Sequence, residues 1–188
     1  LKEDDMSTAT QAAARTTWKI DPVHSHIEFS VRHLMITSVK GRFTGVAGSV
    51  TIDEANPADS DVDIRIDAST IDTREPQRDG HLRSADFLDV EKYPYLTFKS
   101  TRIADRKGGE FTLVGDLTVR GVTREVALHV TDEGRGKDPW GGERAGFSAT
   151  TKINRKDYGL NWNQTLETGG VLVGDDVKIH LDLQFVKA

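Results

Sequence analysis

The feature that most constrains this 188-residue chain is a two-residue hydrophobic alternation that recurs along it without any long amphipathic helix. Successive side chains of a strand point to opposite faces, so alternation marks a strand with one buried face. Ile27, Phe29 and Val31 stand against Glu28, Ser30 and Arg32, and Val62, Ile64 and Ile66 stand against flanking charges. The pattern returns at Leu96 and Phe98, at Phe111, Leu113, Leu117 and Val119, and at Val122, Val126, Leu128 and Val130. It returns again at Phe147, Ala149, Thr151 and Ile153, and in a last strand over Val177–Phe185. Val39, Gly41 and Phe43 are odd-numbered whereas Val46, Val50 and Ile52 are even, a parity change beside Gly45 that predicts a β-bulge. Asn56-Pro57, Asp105–Glu110 and Arg120-Gly121 read as turns, and Asp132–Gly146 as a long Gly-rich loop.

Each apolar strand face must be covered, and no helix is long enough to cover it. The sheet therefore covers itself. Short connections favour antiparallel neighbours, so the expected fold is all-β, an extended eight-stranded antiparallel barrel. A barrel of about eight strands is filled by side chains or holds one small ligand. Its inward set mixes Phe29, Phe43, Phe98, Phe111 and Phe147 with the small residues Gly41, Gly48, Gly115 and Ala149. Those small residues either leave room for a cavity or let neighbouring rings interdigitate, and a cavity is the preferred expectation.

One stretch, Arg78–Ser100, departs from the alternation. Asp72, Glu75 and Pro76 read as a helix start, Leu82, Ala85 and Leu88 recur at helical spacing, and Pro94 ends the segment. It is expected to form a short helical insertion across one barrel end. Leu82 and Phe87 would then lie over the cavity and govern ligand retention more than His81 does.

Composition narrows the function. A net charge of −5 argues against a nucleic-acid partner or an anionic membrane held by the field of the whole chain. No apolar run approaches a membrane span, so stable membrane insertion is not expected. There is no cysteine, which removes disulfides and thiolate chemistry. Residues 1–16 read as a poorly ordered polar tail, with Leu1–Asp5 an expression remnant and Met6 the natural start, and residues 17–188 as one domain. With that start there is no signal peptide and the expected location is cytoplasmic; a removed leader would make it periplasmic or secreted.

Several polar groups bear on chemistry. His24 and His26 share parity with Glu28, a crude metal-ligating set that reads more simply as a polar strand entry. Arg78, Asp79, His81, Arg83 and Ser84 form a candidate acid–base or anion-binding group, but no nucleophile elbow or parallel α/β pattern accompanies them. Arg124 is in phase with Val122, Val126 and Leu128 and would meet a polar head group at the rim or stay solvated. Asp157, Tyr158, Asn161, Trp162 and Asn163 either line a mouth or pack beneath a loop. No phosphate-cradling loop, dinucleotide fingerprint or calcium loop is present.

Trp18-x-Ile20-Asp21-x-x-His24-Ser25, Ile27-x-Phe29-x-Val31-x-His33 and Gly41-x-Phe43 together resemble the opening of the YceI-like, polyisoprenoid-binding family. So do Arg78-Asp79-x-His81-Leu82-x-Ser84-x-Asp86-Phe87-Leu88-Asp89, Tyr93-Pro94, Gly121-Val122-Thr123-Arg124, Phe147-x-Ala149 and Asp157-Tyr158-Gly159. The chain departs at Glu125, where proline is common, and at Leu88, where a second Phe is frequent. The resemblance implies a lipocalin-like barrel whose interior binds a polyisoprenoid or isoprenoid quinone, and it supplies no catalytic set; no cofactor is expected beyond a bound isoprenoid lipid. It also implies export for many members.

These readings converge on a non-catalytic carrier of a long-chain amphiphilic lipid. The expected walls are Phe29, Val31, Phe43, Ile64, Ile66, Phe98, Leu113 and Leu117, covered by Leu82 and Phe87, with Arg78 and Arg124 as head-group contacts. Two alternatives stay open: a small hydrolase or metal-dependent enzyme using His24, His26 or His81, and a filled-barrel, stress-related structural protein. A homodimer is compatible with the fold, although no sequence feature selects it.

Overall fold

The computed structural model describes Arg15–Ala188, so residues 1–14 of the expected tail lie outside the described residues, while Arg15 and Thr16 already belong to a strand. Eleven strands form one antiparallel sheet that closes on itself. They are β1 (Arg15–Ile20), β2 (His26–His33), β3 (Thr37–Phe43), β4 (Val46–Asp53), β5 (Asp61–Asp67), β6 (Ile71–Asp72), β7 (Tyr95–Lys107), β8 (Glu110–Val119), β9 (Val122–Lys137), β10 (Glu143–Asn154) and β11 (Val173–Lys187). The one α-helix among the described residues, α1, is Pro76–Arg83.

Eleven strands make eight staves because the first three staves are each broken in two. β1 and β2 lie end to end along β11, which meets β1 at Ile20↔Phe185 and β2 at Ile27↔Leu181. β3 and β4 continue one another beside them, as do β5 and β6. The other five staves, β7 to β11, are unbroken and form a meander of 10 to 16 residues per strand. The barrel is thus eight-stranded, closed and antiparallel with one short helix.

Side chains repair the ladder at the breaks, because a backbone donor withdrawn from water needs a partner. Between β1 and β2 the Ser25 hydroxyl accepts from the Gln184 N–H at 3.0 Å. Between β3 and β4 the Gly45 N–H donates to Thr70 Oγ1 at 3.0 Å. The parity change beside Gly45 therefore records a stave break at Thr44-Gly45, not a bulge inside one strand. Bulges lie elsewhere, between Ser100 and Arg102 and between Gly146 and Phe147.

The expected Asp132–Gly146 loop is mostly strand. β9 and β10 stay paired out to Lys137↔Glu143, leaving only Asp138–Gly142 as a turn. Asp138 organises that turn by accepting from the N–H groups of Trp140 and Gly142 and from Arg144 Nε. The helix also begins later than expected. Glu75, not Asp72, is its N-cap and accepts from the N–H groups of Gln77 and Arg78, with Pro76 behind it. Asp72 instead accepts from the Arg74 N–H and from Arg42.

Two buried clusters close the two ends of the barrel. At the far end Trp18, Ile20, Val50, Ile52, Ala145 and Phe185 pack together. At the end crossed by α1, here the plug end, Ile71, Phe87, Leu88, Val119, Tyr158 and Leu160 do so. The space between them is the candidate site.

Candidate functional site: an apolar cavity through the barrel

Residue parity turns one face of every stave inward, and the inward residues enclose a cavity of about 550 Å³. Phe29, Val31, Phe43, Ile64, Ile66, Phe98, Leu113 and Leu117 line its walls, and Arg78, Leu82 and Phe87 line it from the plug end. Phe29, Phe43, Phe98, Phe111, Leu117 and Leu181 point inward yet are only half-buried. The surface they leave uncovered faces the cavity. A tightly filled interior would have buried it.

The inward glycines serve the rings. A Cβ on Gly41 would stand 2.3 Å from the Phe29 ring, and one on Gly115 would stand 2.5 Å from the Phe98 ring. Each ring lies across a neighbouring strand where there is no side chain, which pins its rotamer and the strand pairing together. The glycines therefore let rings interdigitate, and an open volume remains beside them.

The plug is built from two segments distant in sequence. Thr73 holds α1 down: its N–H and hydroxyl donate to Asp79 Oδ1 at 2.8 and 2.5 Å, and its hydroxyl and carbonyl accept from Arg78 at 2.7 and 2.8 Å. His81 sits edge-on to Phe87 and to Trp162, with centroids at 5.0 and 4.6 Å, and its Nε2 lies 2.8 Å from Asp86 Oδ2. Trp162 belongs to the connection before β11, which is fastened by Arg155. That side chain is buried, and its guanidinium donates to the carbonyls of Gly174, Leu160, Trp162 and Val173. Burial lowers the Arg155 pKa from the ordinary guanidinium value, against the opposing pull of Asp175. Tyr158 is wholly buried in the same cluster; burial pushes its phenol up to about 12, and its hydroxyl has no hydrogen-bond partner among the described residues.

The residues weighed for catalysis point elsewhere. The Ser84 hydroxyl donates to the His81 carbonyl, not to its imidazole, and Asp79 is engaged by Thr73. His24 is exposed and pairs with Asp21 through Nδ1 at 2.8 Å. Among the described residues no three His, Asp or Glu side chains are grouped to hold a metal. Arg124, expected at the head group, lies outside the cavity lining and donates to the Asp157 carbonyl at 3.2 Å. Its strand register faces it inward, but the turn carrying Asp157 and Tyr158 intervenes.

Arg155, Leu160 and Leu172 at the plug end, and Arg106, Asp132 and Arg135 at the far end, also line the cavity, and no pattern in the sequence singles them out. Arg135 pairs with Asp132 and covers the rings of Trp18 and Phe147 at 5.6 and 5.3 Å. Leu181 and Ile179 also line the cavity, and the alternation of the last strand was sufficient to find them.

Fold and cavity define a small closed barrel with an apolar interior, the architecture of a ligand-binding barrel rather than of a pore or a filled sandwich. Residues 18–185 match the YceI-like domain, and the chain belongs to that family. It is 43% identical over 151 residues to protein YceI of Escherichia coli O157:H7, covering 79% of this chain and 78% of that one. It is 43% identical over 137 residues to a UPF0312 protein of Vibrio parahaemolyticus, covering 73% and 72%. Among solved structures, a Campylobacter jejuni YceI protein superposes with a TM-score of 0.71 at 28% identity, covering 84% of this chain and 90% of that one. A polyisoprenoid-binding domain from Saccharophagus degradans shares the fold alone, with a TM-score of 0.66 at 16% identity and coverage of 92% and 99%.

Proposed function

We propose that this protein is a non-catalytic carrier that holds a long-chain amphiphilic lipid, a polyisoprenoid or isoprenoid quinone, inside the barrel. The observation that carries this reading is the cavity of about 550 Å³ whose inward Phe and Leu side chains leave apolar surface uncovered. That volume falls in the ~300–1,000 Å³ range of small-molecule sites. Ten buried methylenes contribute ~8 kcal/mol at ~0.8 kcal/mol each, the gross equivalent of a micromolar Kd, before the losses of association are subtracted. Affinity of this kind needs few polar contacts. The polar groups at the plug end, Arg78 and Thr73, are bonded to each other, which suits a ligand whose tail rather than head carries the recognition.

Organic extraction of the purified protein followed by mass spectrometry is the test, with titration of the delipidated protein by long-chain isoprenoids. A stoichiometric apolar lipid or saturable binding is expected. Absence of both would overturn the proposal.

A further inference from the structure

Two features at and beside the hairpin joining β2 to β3 serve neither the barrel nor its cavity. The turn is His33-Leu34-Met35-Ile36, closed by the Ile36 N–H donating to the His33 carbonyl at 3.1 Å. Leu34 and Met35 both have left-handed backbones, at φ 53° and 61°. This is the two-residue hairpin turn that ordinarily takes Asn-Gly, because a Cβ in that region meets the neighbouring carbonyl. Two bulky apolar residues stand here instead. Met35 is 53% exposed and Ile36 72%, and Val171 stands beside them, exposed, on the segment whose Leu172 carbonyl accepts the Leu34 N–H. Strain held at exposed apolar side chains is an outlier that points to use.

The second feature lies on the outer face of the same end. Lys152 faces Lys178 across β10 and β11, Lys178 faces Ser30 on β2, and Ser30 faces Lys40 on β3. Three lysines thus share one cross-strand row, with two of them directly opposed, an arrangement that destabilises a sheet. Of these three lysines only Lys152 has an ionic partner among the described residues, Asp176 at 3.6 Å. The row borders an outward groove that also holds Arg74, His180, Glu28 and the Arg42–Asp72 pair, so cations prevail there on a chain whose net charge is −5. Lys40 is three residues from Thr37 at the turn, ~10 Å along the strand, about one Debye length.

We infer that the β2–β3 hairpin is a peripheral anchor for an anionic bilayer: Met35 and Ile36 enter its interface while Lys40, Lys152 and Lys178 meet lipid phosphates. Apolar tips flanked by cations bind such surfaces by this combination of forces, without spanning them. His33, Leu172 and Val173 at the base of the hairpin line the cavity, so docking sets the plug end of the barrel against the bilayer. The inference deepens the carrier reading by naming the surface from which its lipid is exchanged. Among the described residues the far end has an exposed aromatic, Trp140 at 87%, but its neighbouring cations Arg144 and Lys187 are taken up by Asp138 and Glu143.

The test is co-sedimentation of the protein with phosphatidylglycerol–phosphatidylcholine vesicles and with phosphatidylcholine vesicles, at low and raised salt. Binding is expected to the anionic vesicles and to weaken with salt. Replacing the turn by Leu34→Asn with Met35→Gly is expected to raise Tm, since it relieves the backbone, while weakening vesicle binding about tenfold or more. Lys40→Glu with Lys178→Glu is expected to keep the fold and to weaken binding at least ~tenfold, at ~fivefold per lysine removed. No binding of the wild-type protein to anionic vesicles, binding unchanged in both variants, or binding lost only in Trp140→Ala would each overturn the anchor. Extraction of the same samples separates the two readings. Lipid in the cavity without vesicle binding overturns the anchor and leaves the carrier; vesicle binding with an empty cavity does the reverse.

Discussion

Gly41 and Phe29 are register partners on β3 and β2, and neither position is independent of the other. Gly41→Ala would place a methyl 2.3 Å from the Phe29 ring, so the ring must swing into the cavity. Overpacking of this kind is expected to destabilise by ~1–3 kcal/mol, lowering Tm by roughly 3–10 °C. It should also reduce lipid uptake, and Phe29→Leu in the same chain should restore both; a thermal melt and a titration check it. A second residue, Asp21, fastens the break between β1 and β2 to β10. The hydrogen bond from His24, then that from Arg144 and the N–H of Val23, hold its carboxyl at about 2, below the ordinary 3.8, against the opposing effect of burial. A carboxyl depressed on folding contributes stability that is present above the unfolded pKa and lost as pH falls through the folded one. Denaturant midpoints should therefore fall between about pH 4 and pH 2, and Asp21→Asn should remove that component of the pH dependence.

At the scale of elements, α1 and the connection before β11 act together as the plug. Asp79→Ala would leave the buried Thr73 N–H without its acceptor, at a cost of ~1–3 kcal/mol, and free the helix from the barrel rim. Lipid release, followed by transfer to acceptor vesicles, should accelerate. Phe87→Ala should accelerate it more than His81→Ala, because Phe87 is 7% exposed within the plug whereas His81 is held at its edge. The walls beneath were legible from sequence because parity alone fixes which face of a strand turns inward. Phe29, Ile64, Phe98 and Leu113 needed nothing more. The breaks were not legible: Asp21–Ser25, Thr44-Gly45 and Ala68–Thr70 look like ordinary irregularities, and only long-range pairing shows that they divide staves. Strand at Gly134–Lys137 was hidden because Gly134, Arg135, Gly136 and Lys137 include no apolar residue to mark an inward face. Arg155 was hidden because a buried arginine held by four carbonyls looks, in sequence, like any solvated one. Arg124 shows the limit of parity, which gives a direction and not what stands in the way.

For the molecule as a whole, binding depends on volume left unfilled. Ala149 lies in the middle of the wall, 6% exposed and lining the cavity. Ala149→Leu should fill space beside Leu128 and Leu181, raise the Tm of the lipid-free protein and lower the amount of lipid recovered per chain. A gain in stability coupled to a loss of capacity distinguishes a working cavity from a packing defect.

The seam of the barrel joins its first described strand to its last, Trp18 opposite Lys187. Every strand pairing within β7 to β11 is between neighbours in sequence, so that five-stranded meander can assemble early from local hairpins. The three broken staves must then be brought round to meet β11, closing a loop of most of the chain. Folding should be slow in this last step, and the intermediate before it would be an open sheet showing its apolar face and a free edge. Such a species is prone to aggregate or to exchange strands with another copy. The same gap would admit a hydrophobic chain during folding, before any plug exists to exclude it.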